Sequence, residues 1–466
     1  MSVKEKLAVV IMAAGKGTRL KSRRPKVLHE IGGKPLLGHV IAAAGALVEA
    51  DDMHVVIGHQ AERVLEAVSA SGVRFVEQAE QRGTGHAIQC AADAIRNYEN
   101  ILVLSGDVPL IRPVTIERLW SFHREQGAAM TILTARPENP HGYGRIVRKT
   151  AEGAEVAAIV EQKSLTPEQL GIGEINSGIY AFRTAKLLEQ LGKLNANNAH
   201  GELYLTDVAA LLVAAGEKVV AIEAAGAGEV LGANTIAELV ALDATLRAAT
   251  ASRLMANGVT IFRPESCVID ADVEVGPDTV IEPFVQLLGK TRIGSDCRIR
   301  SYTVLEDATV GNHVLLRQSC IVTESTVEDG AKIGPFAHLR PGSEIGVEAH
   351  VGNFVETKKT RLGKGAKANH LTYLGDAEVG AGSNIGAGVI TCNYDGVNKF
   401  KTTIGERVFV GSDSTLVAPV TVGNGAYIGA ASCITKDVPA DALAVGRSRQ
   451  IVKDGWAAAK RAARKK

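Results

Sequence analysis

A glycine-rich turn followed by cations is the first group of residues with an evident chemical use. Gly15 and Gly17 come directly after the apolar run Leu7–Met12, and Arg19 and Lys26 follow within one short loop. Glycines let backbone amides approach phosphate oxygens, and nearby cations neutralise phosphate charge. The turn lacks the third glycine of a dinucleotide fingerprint and the Gly-Lys-Ser/Thr ending of a Walker loop. A mere tight connection would leave the cations unexplained, so the turn predicts a phosphate-binding loop of another kind.

An acidic residue with a possible metal-binding role follows another apolar run. Asp107 comes just beyond Ile101–Leu104. Mg²⁺ prefers a carboxylate, an amide oxygen and retained waters, and ligands of open α/β sheets lie at the carboxyl ends of strands. Asp107 could instead cap a turn before Pro109, but its position at a strand end favours the metal.

The second half of the chain carries polar groups that interrupt a regular aliphatic pattern. They are Arg340-Pro341-Gly342, Lys358-Lys359, Asn369-His370-Leu371-Thr372-Tyr373 and Asn384-Ile385-Gly386-Ala387, followed by an inserted loop from Thr391 to Lys401. Loops that leave a rigid scaffold are where sites are built. Histidine titrates near neutral pH, so His370 is the candidate general base. A lone histidine means little, and His370 gains weight only from its neighbours.

The elements that must position the first group are alternating strands and helices. Further apolar runs occur at Val55–Ile57, Ile101–Leu104 and Ala129–Leu133, separated by helical stretches. This alternation is typical of a doubly wound α/β sheet, with the glycine loop at the end of its first strand.

The second half repeats an aliphatic residue every six positions. The residues are Ile269, Val275, Ile281, Leu287, Ile293, Ile299 and Leu305, then Ile321, Val327, Ile333, Leu339, Ile345 and Val351, then Ile404, Val410, Leu416, Val422, Ile428 and Ile434. This spacing suits neither a helix face nor strand alternation. It predicts a parallel β-solenoid whose stacked turns bury an aliphatic column. An antiparallel sandwich would have spacings near ten and less glycine.

The totals exclude several classes of protein. The chain has 466 residues, 52 Lys and Arg against 51 Asp and Glu, and a net charge of +1, which gives no argument for nucleic-acid binding. No apolar run is long enough for a membrane span, and Met1–Lys6 lacks the apolar core of a signal peptide, so we expect a cytoplasmic enzyme. Six cysteines without CxxC spacing are expected to be packed thiols.

The segment between the halves is rich in Ala and Leu. Ile236, Leu239, Val240 and Leu246 recur at helical spacing, and neither Pro nor Gly occurs before Gly258. We expect one linking helix of about twenty residues, which would span roughly 30 Å. The predicted domains are therefore residues 1–236, a linker helix over 237–257, and residues 258–466.

The motifs resemble those of a known family along nearly the whole chain. They are Met12-Ala13-Ala14-Gly15-Lys16-Gly17-Thr18-Arg19, Pro25-Lys26, Glu77-Gln78-Ala79, Gly83-Thr84-Gly85-His86-Ala87, Ser105-Gly106-Asp107-Val108-Pro109-Leu110, Gly142-Tyr143-Gly144-Arg145, Ile159-Val160-Glu161-Gln162-Lys163 and Glu174-Ile175-Asn176-Ser177-Gly178. With the six-residue repeat, the chain resembles the bacterial N-acetylglucosamine-1-phosphate uridylyltransferase/glucosamine-1-phosphate acetyltransferase family. The resemblance implies a Rossmann-like nucleotidyltransferase domain, a linking helix and a left-handed parallel β-helix.

The resemblance also implies roles in the first half. Arg19 and Lys26 would neutralise the triphosphate, and Asp107 and Asn234 would bind Mg²⁺. UTP and UDP-N-acetylglucosamine would contact Met12, Ala13, Ala14, Gly15, Lys26, Gln78, Gly83, Thr84, Ser105, Gly106, Asp107, Gly144, Glu161, Asn176 and Asn234. Gly144, Glu161 and Asn176 would hold the acetylated sugar. Ser105 is a departure, because relatives can carry Tyr there.

In the second half the resemblance implies transfer of acetyl from acetyl-CoA to glucosamine-1-phosphate, with His370 as the base. Glucosamine-1-phosphate would contact Arg340, Lys358, Tyr373 and Asn384, and acetyl-CoA would contact Ala387, Asn393, Tyr394, Ser412, Ala430 and Arg447. The amide of Ala387 would donate to the thioester carbonyl. A homotrimer is implied, because such acyltransferases bind CoA between subunits. No nucleic-acid or membrane partner is expected, and the basic end from Trp456 to Lys466 is expected to be a cationic tail.

Two alternatives stay open at this point. The chain could be a monofunctional sugar-1-phosphate nucleotidylyltransferase with a structural or regulatory β-helix. It could also be a binding scaffold without chemistry, although that leaves the loop from Gly15 to Lys26 unexplained. The leading interpretation is acetylation of glucosamine-1-phosphate followed by uridylyl transfer from UTP to N-acetylglucosamine-1-phosphate, with release of pyrophosphate.

Overall fold

The computed structural model describes residues 6–150, 153–198 and 201–464. Contacts divide the chain into two compact units, Met1–Leu246 and Arg247–Lys466. Two predictions concern residues that the structure does not fully describe. The segment Met1–Lys6, expected to lack a signal peptide, lies outside the described residues except for Lys6, and so do Lys465 and Lys466 at the end of the cationic tail. Among the described residues no helix is both long and apolar enough to cross a membrane.

The first unit is built from alternating strands and helices, as the apolar runs predict. Its strands are β1 (Leu7–Met12), β2 (Glu30–Ile31), β3 (Lys34–Pro35), β4 (Met53–Ile57), β5 (Arg74–Glu77), β6 (Asn100–Ser105), β7 (Met130–Ala135), β8 (Arg145–Arg148), β9 (Val156–Val160), β10 (Ile175–Arg183) and β11 (Val219–Glu223). Its helices are α1 (Leu36–Ala44), α2 (Ala61–Val68), α3 (Thr84–Ile95), α4 (Pro113–Gln126), α5 (Thr184–Leu191) and α6 (Asp207–Ala214). Residues on the two faces of the sheet belong to separate apolar clusters, as expected for a sheet covered by helices on both sides.

The main sheet has the order β11-β7-β10-β6-β1-β4-β5. Strand β1 pairs in parallel with β4 and β6, and the first glycine loop leaves its carboxyl end. Strand β10 runs antiparallel to both β6 and β7, so the sheet is mixed. Strands β8 and β9 extend the same sheet beside β10, and β9 is reversed as well, because β8 is antiparallel to both β10 and β9. The predicted α/β architecture is confirmed, with two reversed strands that continuous apolar runs do not reveal.

The predicted long helix is present as α7 (Ile236–Ala256). Leu242 is buried with Leu239 and Leu246 against the first unit's small cluster, whereas Ile236 and Val240 are exposed. The predicted helix is therefore confirmed, and its four apolar residues at helical spacing do not all lie on the buried side. The functional division at residues 236 and 258 stays a prediction.

Across its described residues the second unit is a parallel β-helix with three faces. The first face comprises Thr260–Ile261, Val280–Ile281, Arg298–Ile299, Leu315–Leu316, Lys332–Ile333, His350–Asn353, Lys367–His370, Asn384–Ile385, Phe409–Val410, Tyr427–Ile428 and Leu443–Ala444. The second comprises Val268–Ile269, Gln286–Leu288, Val304–Glu306, Ile321–Thr323, His338–Leu339, Glu356–Lys358, Tyr373–Gly375, Ile390–Cys392, Thr415–Val417 and Cys433–Ile434. The third comprises Glu274–Val275, Arg292–Ile293, Thr309–Val310, Thr326–Val327, Glu344–Ile345, Arg361–Leu362, Ala377–Val379, Thr402–Ile404 and Val420–Val422, and helix α8 (Trp456–Ala463) follows.

The six-residue repeat places its aliphatic side chains in one continuous core. One predicted member is wrong: Ile321 is 44% exposed, and the next residue, Val322, points inward. A step of five residues from Leu305 to Val310 places Leu316 and Val322 inward, and a second such step, from Val322 to Val327, leads back to the predicted members Val327 and Ile333. Thr357 and Thr391 also occupy inward positions, where their hydroxyls donate to neighbouring oxygens. A polar residue therefore continues the core where its hydroxyl has a partner.

The six cysteines are free thiols. Cys267, Cys297 and Cys320 are buried, as predicted, and burial raises the pKa of each. Cys433 is exposed, so the expectation that every cysteine is packed was wrong for this residue.

Candidate functional sites

The shape of the glycine loop depends on the close approach of Gly17 to the side chain of Lys26. Gly17 has φ of 60°, and a Cβ added to it would lie 2.5 Å from Cβ of Lys26. A side chain at this position would therefore be strained and would displace Lys26. The short turn Thr18–Leu20 follows, with Leu20 buried and Arg19 exposed. The loop thus holds two cations over the carboxyl end of β1.

A cavity of about 550 Å³ opens at this end of the sheet. The predicted residues that line it are Met12, Ala13, Ala14, Gly15, Arg19, Lys26, Gln78, Gly83, Thr84, Ser105, Asp107 and Asn234. Lining residues without an individual prediction include Gln81 and Glu202. The sequence could have suggested Gln81, because it follows the predicted residue Gln78 by three positions. No motif in the sequence points to Glu202.

The two predicted metal ligands lie next to each other. The Nζ atom of Lys26 is 2.9 Å from Oδ1 of Asn234 and also contacts a carboxylate oxygen of Asp107. Nη2 of Arg19 is 2.6 Å from the same oxygen of Asn234. One carboxylate and one amide oxygen therefore converge on a single cationic atom. This donor set fits Mg²⁺, which takes few protein oxygens and completes its shell with water and substrate phosphates.

Gln78 and its neighbours form the wall opposite the glycine loop. Nε2 of Gln78 lies 3.0 Å from the carbonyl oxygen of Gly83 and 3.1 Å from Nδ1 of His86. Gly83 has φ of 107°, and a Cβ there would lie 2.5 Å from the carbonyl oxygen of Leu203. The wall therefore needs glycine at this position, and Gln78, 3% exposed, is fixed in one orientation.

The residues predicted to hold the sugar form a second group, outside the lining of this cavity. The amide of Asn176 donates to the carbonyl oxygen of Gly144 at 2.9 Å, and Nδ2 of Asn176 donates to the hydroxyl of Tyr180 at 2.8 Å. Glu161 accepts a hydrogen bond from Thr206 at 3.1 Å. Burial raises the pKa of Tyr180, so its hydroxyl stays neutral. The structure thus brings Gly144 and Asn176 into direct contact.

Ser105 connects the two groups. Its hydroxyl donates to the carbonyl oxygen of Gly178 at 3.3 Å, and the amide of Gly178 donates to Oδ1 of Asn176 at 3.3 Å. Gly106, which the prediction placed with it, is held by a hydrogen bond from its amide to the carbonyl oxygen of Met12 at 2.9 Å. A Cβ on Gly106 would lie 3.0 Å from that same oxygen, so the close approach of these strands favours glycine.

In the second unit, His370 belongs to a line of residues on successive coils. The amides of Leu371, Gly388, Asp413 and Ala431 donate to the carbonyl oxygens of Asn353, His370, Ala387 and Ser412, respectively. These bonds stack Asn353, His370, Ala387 and Ser412, and the strand register places Ala430 beside Ser412. His370 is exposed, and its Nδ1 lies 2.7 Å from Oδ1 of Asn353. Four predicted acetylation residues therefore share one edge.

A cationic cluster lies beside this edge on the second face. Arg340 pairs with Glu356 at 2.8 Å, and Glu356 and Tyr373 are register partners on adjacent coils. The neighbouring Lys399 side chain is the largest cause of a lowered pKa at Lys358, and burial and Arg340 act in the same direction. Such crowding of like charges favours an anion. Lys399 was not predicted, although it lies in the inserted loop.

The inserted loop is closed by its own hydrogen bonds. The amide of Phe400 donates to the carbonyl oxygen of Asn393 at 2.9 Å, and Nδ2 of Asn393 donates to a carboxylate oxygen of Asp376. Tyr394 is exposed and donates to the carbonyl oxygen of Gly396. The loop therefore anchors Asn393 to the solenoid and leaves the Tyr394 ring at the surface.

The remaining two predicted contacts are Asn384 and Arg447. Asn384 is half-buried on the first face, where its register partners are Lys367 and Phe409. Arg447 is exposed beyond Gly446, whose amide donates to Ser432.

Comparisons with known proteins agree with both halves. The MobA-like NTP transferase domain matches residues 9–198, the GMPPB C-terminal domain residues 264–333, and six bacterial transferase hexapeptide repeats residues 401–436. The chain is 64% identical to the bifunctional protein GlmU of Koribacter versatilis over the full length of both chains. It is 49% identical to that of Solibacter usitatus, covering 98% and 97% of the two chains, and 48% identical to that of Stutzerimonas stutzeri, covering 97% and 98%.

The fold and the two sites define a nucleotidyltransferase joined to a left-handed β-helix acyltransferase. The chain belongs to the GlmU family. It is a bifunctional enzyme of UDP-N-acetylglucosamine synthesis, with uridylyltransferase and acetyltransferase activities. The monofunctional and scaffold alternatives are thereby set aside.

Proposed function

We propose that each activity uses the residue cluster described for its unit, and that uridylyl transfer requires Mg²⁺. The observation that carries the proposal is the convergence of Asp107 and Asn234 oxygens on the ammonium of Lys26, with Arg19 bound to the same amide oxygen. In this proposal UTP enters the cavity, its triphosphate lies against the glycine loop, and Asp107 and Asn234 hold the metal.

Uridylyl transfer brings together two anions, the sugar phosphate and the triphosphate. The main tasks of the protein are therefore alignment and neutralisation of charge. Lys26 and Arg19 would leave Asn234 and Asp107 and bind phosphate oxygens, and Gln78 would orient the base. When bound, Mg²⁺ would supply Lewis-acid stabilisation of the phosphate charge. Gly144, Glu161 and Asn176 would hold the acetylated sugar, whose phosphate oxygen attacks the α-phosphorus and displaces pyrophosphate.

Acetyl transfer would take place at the edge that carries His370. Glucosamine-1-phosphate would bind with its phosphate at Arg340, Lys358 and Lys399, because an anion relieves the repulsion between these cations. Nε2 of His370 would remove a proton from the attacking amine and pass it to the CoA sulfur, which leaves as the free thiol when the C–S bond breaks, and the amide of Ala387 would donate to the thioester carbonyl. Tyr373 and Asn384 would orient the sugar, while Asn393, Tyr394, Ser412, Ala430 and Arg447 would contact acetyl-CoA.

We also propose a homotrimer acting in the cytoplasm, where UTP and acetyl-CoA are available. Exposed stacked pairs, Phe284 with Tyr302 and Phe336 with Phe354, lie in the second unit, and Leu371 beside His370 is exposed as well. Exposed apolar side chains in a row are typical of surfaces between subunits. Sedimentation equilibrium tests the trimer, and a monomer at micromolar concentration would contradict it.

One assay tests the proposed division of labour. Purified protein is incubated with glucosamine-1-phosphate, acetyl-CoA, UTP and Mg²⁺, and free thiol and pyrophosphate are measured separately. Asp107→Asn should abolish pyrophosphate release and leave thiol release intact. His370→Ala should lower thiol release by about 10²–10⁴-fold and leave transfer to pre-acetylated sugar unchanged. Unchanged Mg²⁺-dependent pyrophosphate release in Asp107→Asn would refute the metal assignment.

A further inference from the structure

The two segments that carry Asp107 and Asn234 are tied together by a buried carboxylate. Glu229 is 7% exposed, and its Oε2 accepts hydrogen bonds from Nε of Arg112 at 2.8 Å and from the hydroxyl of Thr115 at 2.7 Å. Its Oε1 accepts from Nη2 of Arg112 at 3.3 Å and from the amide of Gly226 at 3.2 Å. One side chain thus joins the start of α4 to the loop before α7.

The two segments run from this junction to the metal site over equal lengths. Arg112 follows Asp107 by five residues, and Asn234 follows Glu229 by five residues. Between these points Val108, Ile111 and Val230 are buried in one apolar cluster. The segments are therefore packed together as well as connected at one end.

The segments also touch at the metal end. A Cβ on Gly232 would lie 2.9 Å from a carboxylate oxygen of Asp107. The backbone at Gly232 therefore lies so close to this carboxylate that a residue with a side chain would not fit without a shift. On its other side, the amide of Asn234 donates to Glu238 at 2.6 Å. The position of Asn234 relative to Asp107 thus depends on how the whole segment is held.

Burial alone would raise the pKa of Glu229, but hydrogen bonds from Arg112 and Thr115 outweigh it, and the net pKa is lowered. The carboxylate is ionised and fully hydrogen-bonded at neutral pH. Removing one partner of such a group leaves buried charge unpaired, so breaking the junction is costly.

We propose that Glu229 is a positioning residue for the metal pair, which sets the separation of Asp107 and Asn234 through Arg112 and Thr115. The inference rests on the proposed binding of Mg²⁺ by these two residues. Partners behind a metal ligand commonly change metal affinity by about 10–100-fold when they are mutated. Glu229 does not bond to Asp107 or Asn234 itself but acts through the segments that carry them, so we expect a change in metal affinity at the lower end of that range, about tenfold.

The test compares Glu229→Gln and Arg112→Met with wild type. The concentration of Mg²⁺ for half-maximal pyrophosphate release should rise about tenfold in both, and saturating Mg²⁺ should restore most of kcat. Arg112→Met leaves the buried Glu229 carboxylate without its cation, so the denaturant midpoints of both variants are measured first and activity is compared only on protein that is folded at the assay temperature. Thiol release by the same preparation checks that the second unit is intact.

Glu174→Gln is the matched control. Glu174 is also buried and is held by Arg148 at 2.6 Å, Arg136 at 3.2 Å and Thr134 at 2.6 Å, but it does not connect the metal-bearing segments. Its loss should destabilise the first unit to a similar degree without changing the Mg²⁺ requirement. An equal rise in Glu174→Gln would overturn the proposal, since general destabilisation would then explain the effect.

A second measurement uses the protein without metal. Amide hydrogen exchange of a peptide covering residues 227–234 should be faster in Glu229→Gln and Arg112→Met than in wild type, and unchanged in Glu174→Gln. Unaltered exchange together with an unaltered Mg²⁺ requirement would overturn the inference. If wild-type activity were independent of Mg²⁺, or Asp107→Asn remained active, the proposed metal site itself would fail, which is a distinguishable outcome.

Discussion

Nδ1 of His370 lies 2.7 Å from Oδ1 of Asn353, one coil earlier in the β-helix. An amide oxygen can only accept a hydrogen bond, so the proton of the neutral imidazole must be on Nδ1. The lone pair is then on Nε2, which is the state that a general base requires. The sequence alone does not point to Asn353, because it precedes His370 by seventeen positions and becomes its neighbour only through the stacking of coils.

Asn353→Asp should change the pH dependence of acetyl transfer. A carboxylate in contact with Nδ1 stabilises the imidazolium, and His370 must be neutral to accept a proton. The acid limb of the pH profile of kcat/KM for glucosamine-1-phosphate should therefore move to higher pH, with little change on the alkaline side. The measurement is thiol release between pH 5 and 9. A profile that coincides with wild type would contradict the role of Asn353, and unchanged uridylyl transfer serves as the control.

Lys399→Met should raise the KM for glucosamine-1-phosphate about tenfold or more and leave the KM for acetyl-CoA nearly unchanged. The reason is that a charge-assisted hydrogen bond to phosphate contributes about 1.5–3 kcal/mol. Lys401→Met is the matched control, since Lys401 lies in the same loop but pairs with Glu378. Equal effects of the two substitutions on KM would remove Lys399 from the phosphate site.

Val322→Ala should destabilise the β-helix, whereas Ile321→Ala should not. Val322 is fully buried and Ile321 is 44% exposed, although the two are adjacent. Loss of two buried methyl groups and the resulting cavity should cost about 2 kcal/mol, and the exposed substitution about 0.5 kcal/mol or less. Denaturant midpoints of the second unit measure both. If Ile321→Ala were the more destabilising substitution, Ile321 would be the inward residue, as the six-residue repeat in the sequence suggested.

His123 should make the first unit sensitive to acid. It is 2% exposed and bonded to Thr131 at 2.8 Å, and burial, with Arg183 adding to it, lowers its pKa from 6.5 to about 4. The unfolded chain therefore takes up a proton before the folded one. The stability contributed by neutral His123 is present above about pH 6.5 and is lost as the pH falls towards 4, by up to roughly 3 kcal/mol.

His123→Asn should flatten that dependence. Urea midpoints between pH 7 and 4, followed by the fluorescence of Trp120, which stacks on His123 at 6.0 Å, would measure it. His141→Asn, a change at an exposed histidine, is the control and should keep the wild-type slope. An unchanged slope in His123→Asn would assign the acid sensitivity to other groups.

Sequence reasoning succeeded where one physical requirement repeats. Buried aliphatic residues at intervals of six indicated the β-helix, and the position of Asp107 after a buried strand indicated that it lies at the end of the sheet where the cavity opens. It failed where two adjacent residues could both fill the same core position. Ile321 and Val322 are both branched aliphatic residues, and only the length of the coil decides which of them points inward. Lys399 and Glu229 look like any other charged residue until the fold brings their partners near.

A parallel β-helix has open strand edges at its ends, and such edges can recruit further strands. Ala251 and Leu254 of α7 belong to the same buried cluster as Val259 and Ile261 of the first coil. Terminal caps of this kind keep stacked-repeat proteins from polymerising. Shortening the chain to begin at the first coil would therefore be expected to produce fibres or precipitate rather than an isolated acetyltransferase.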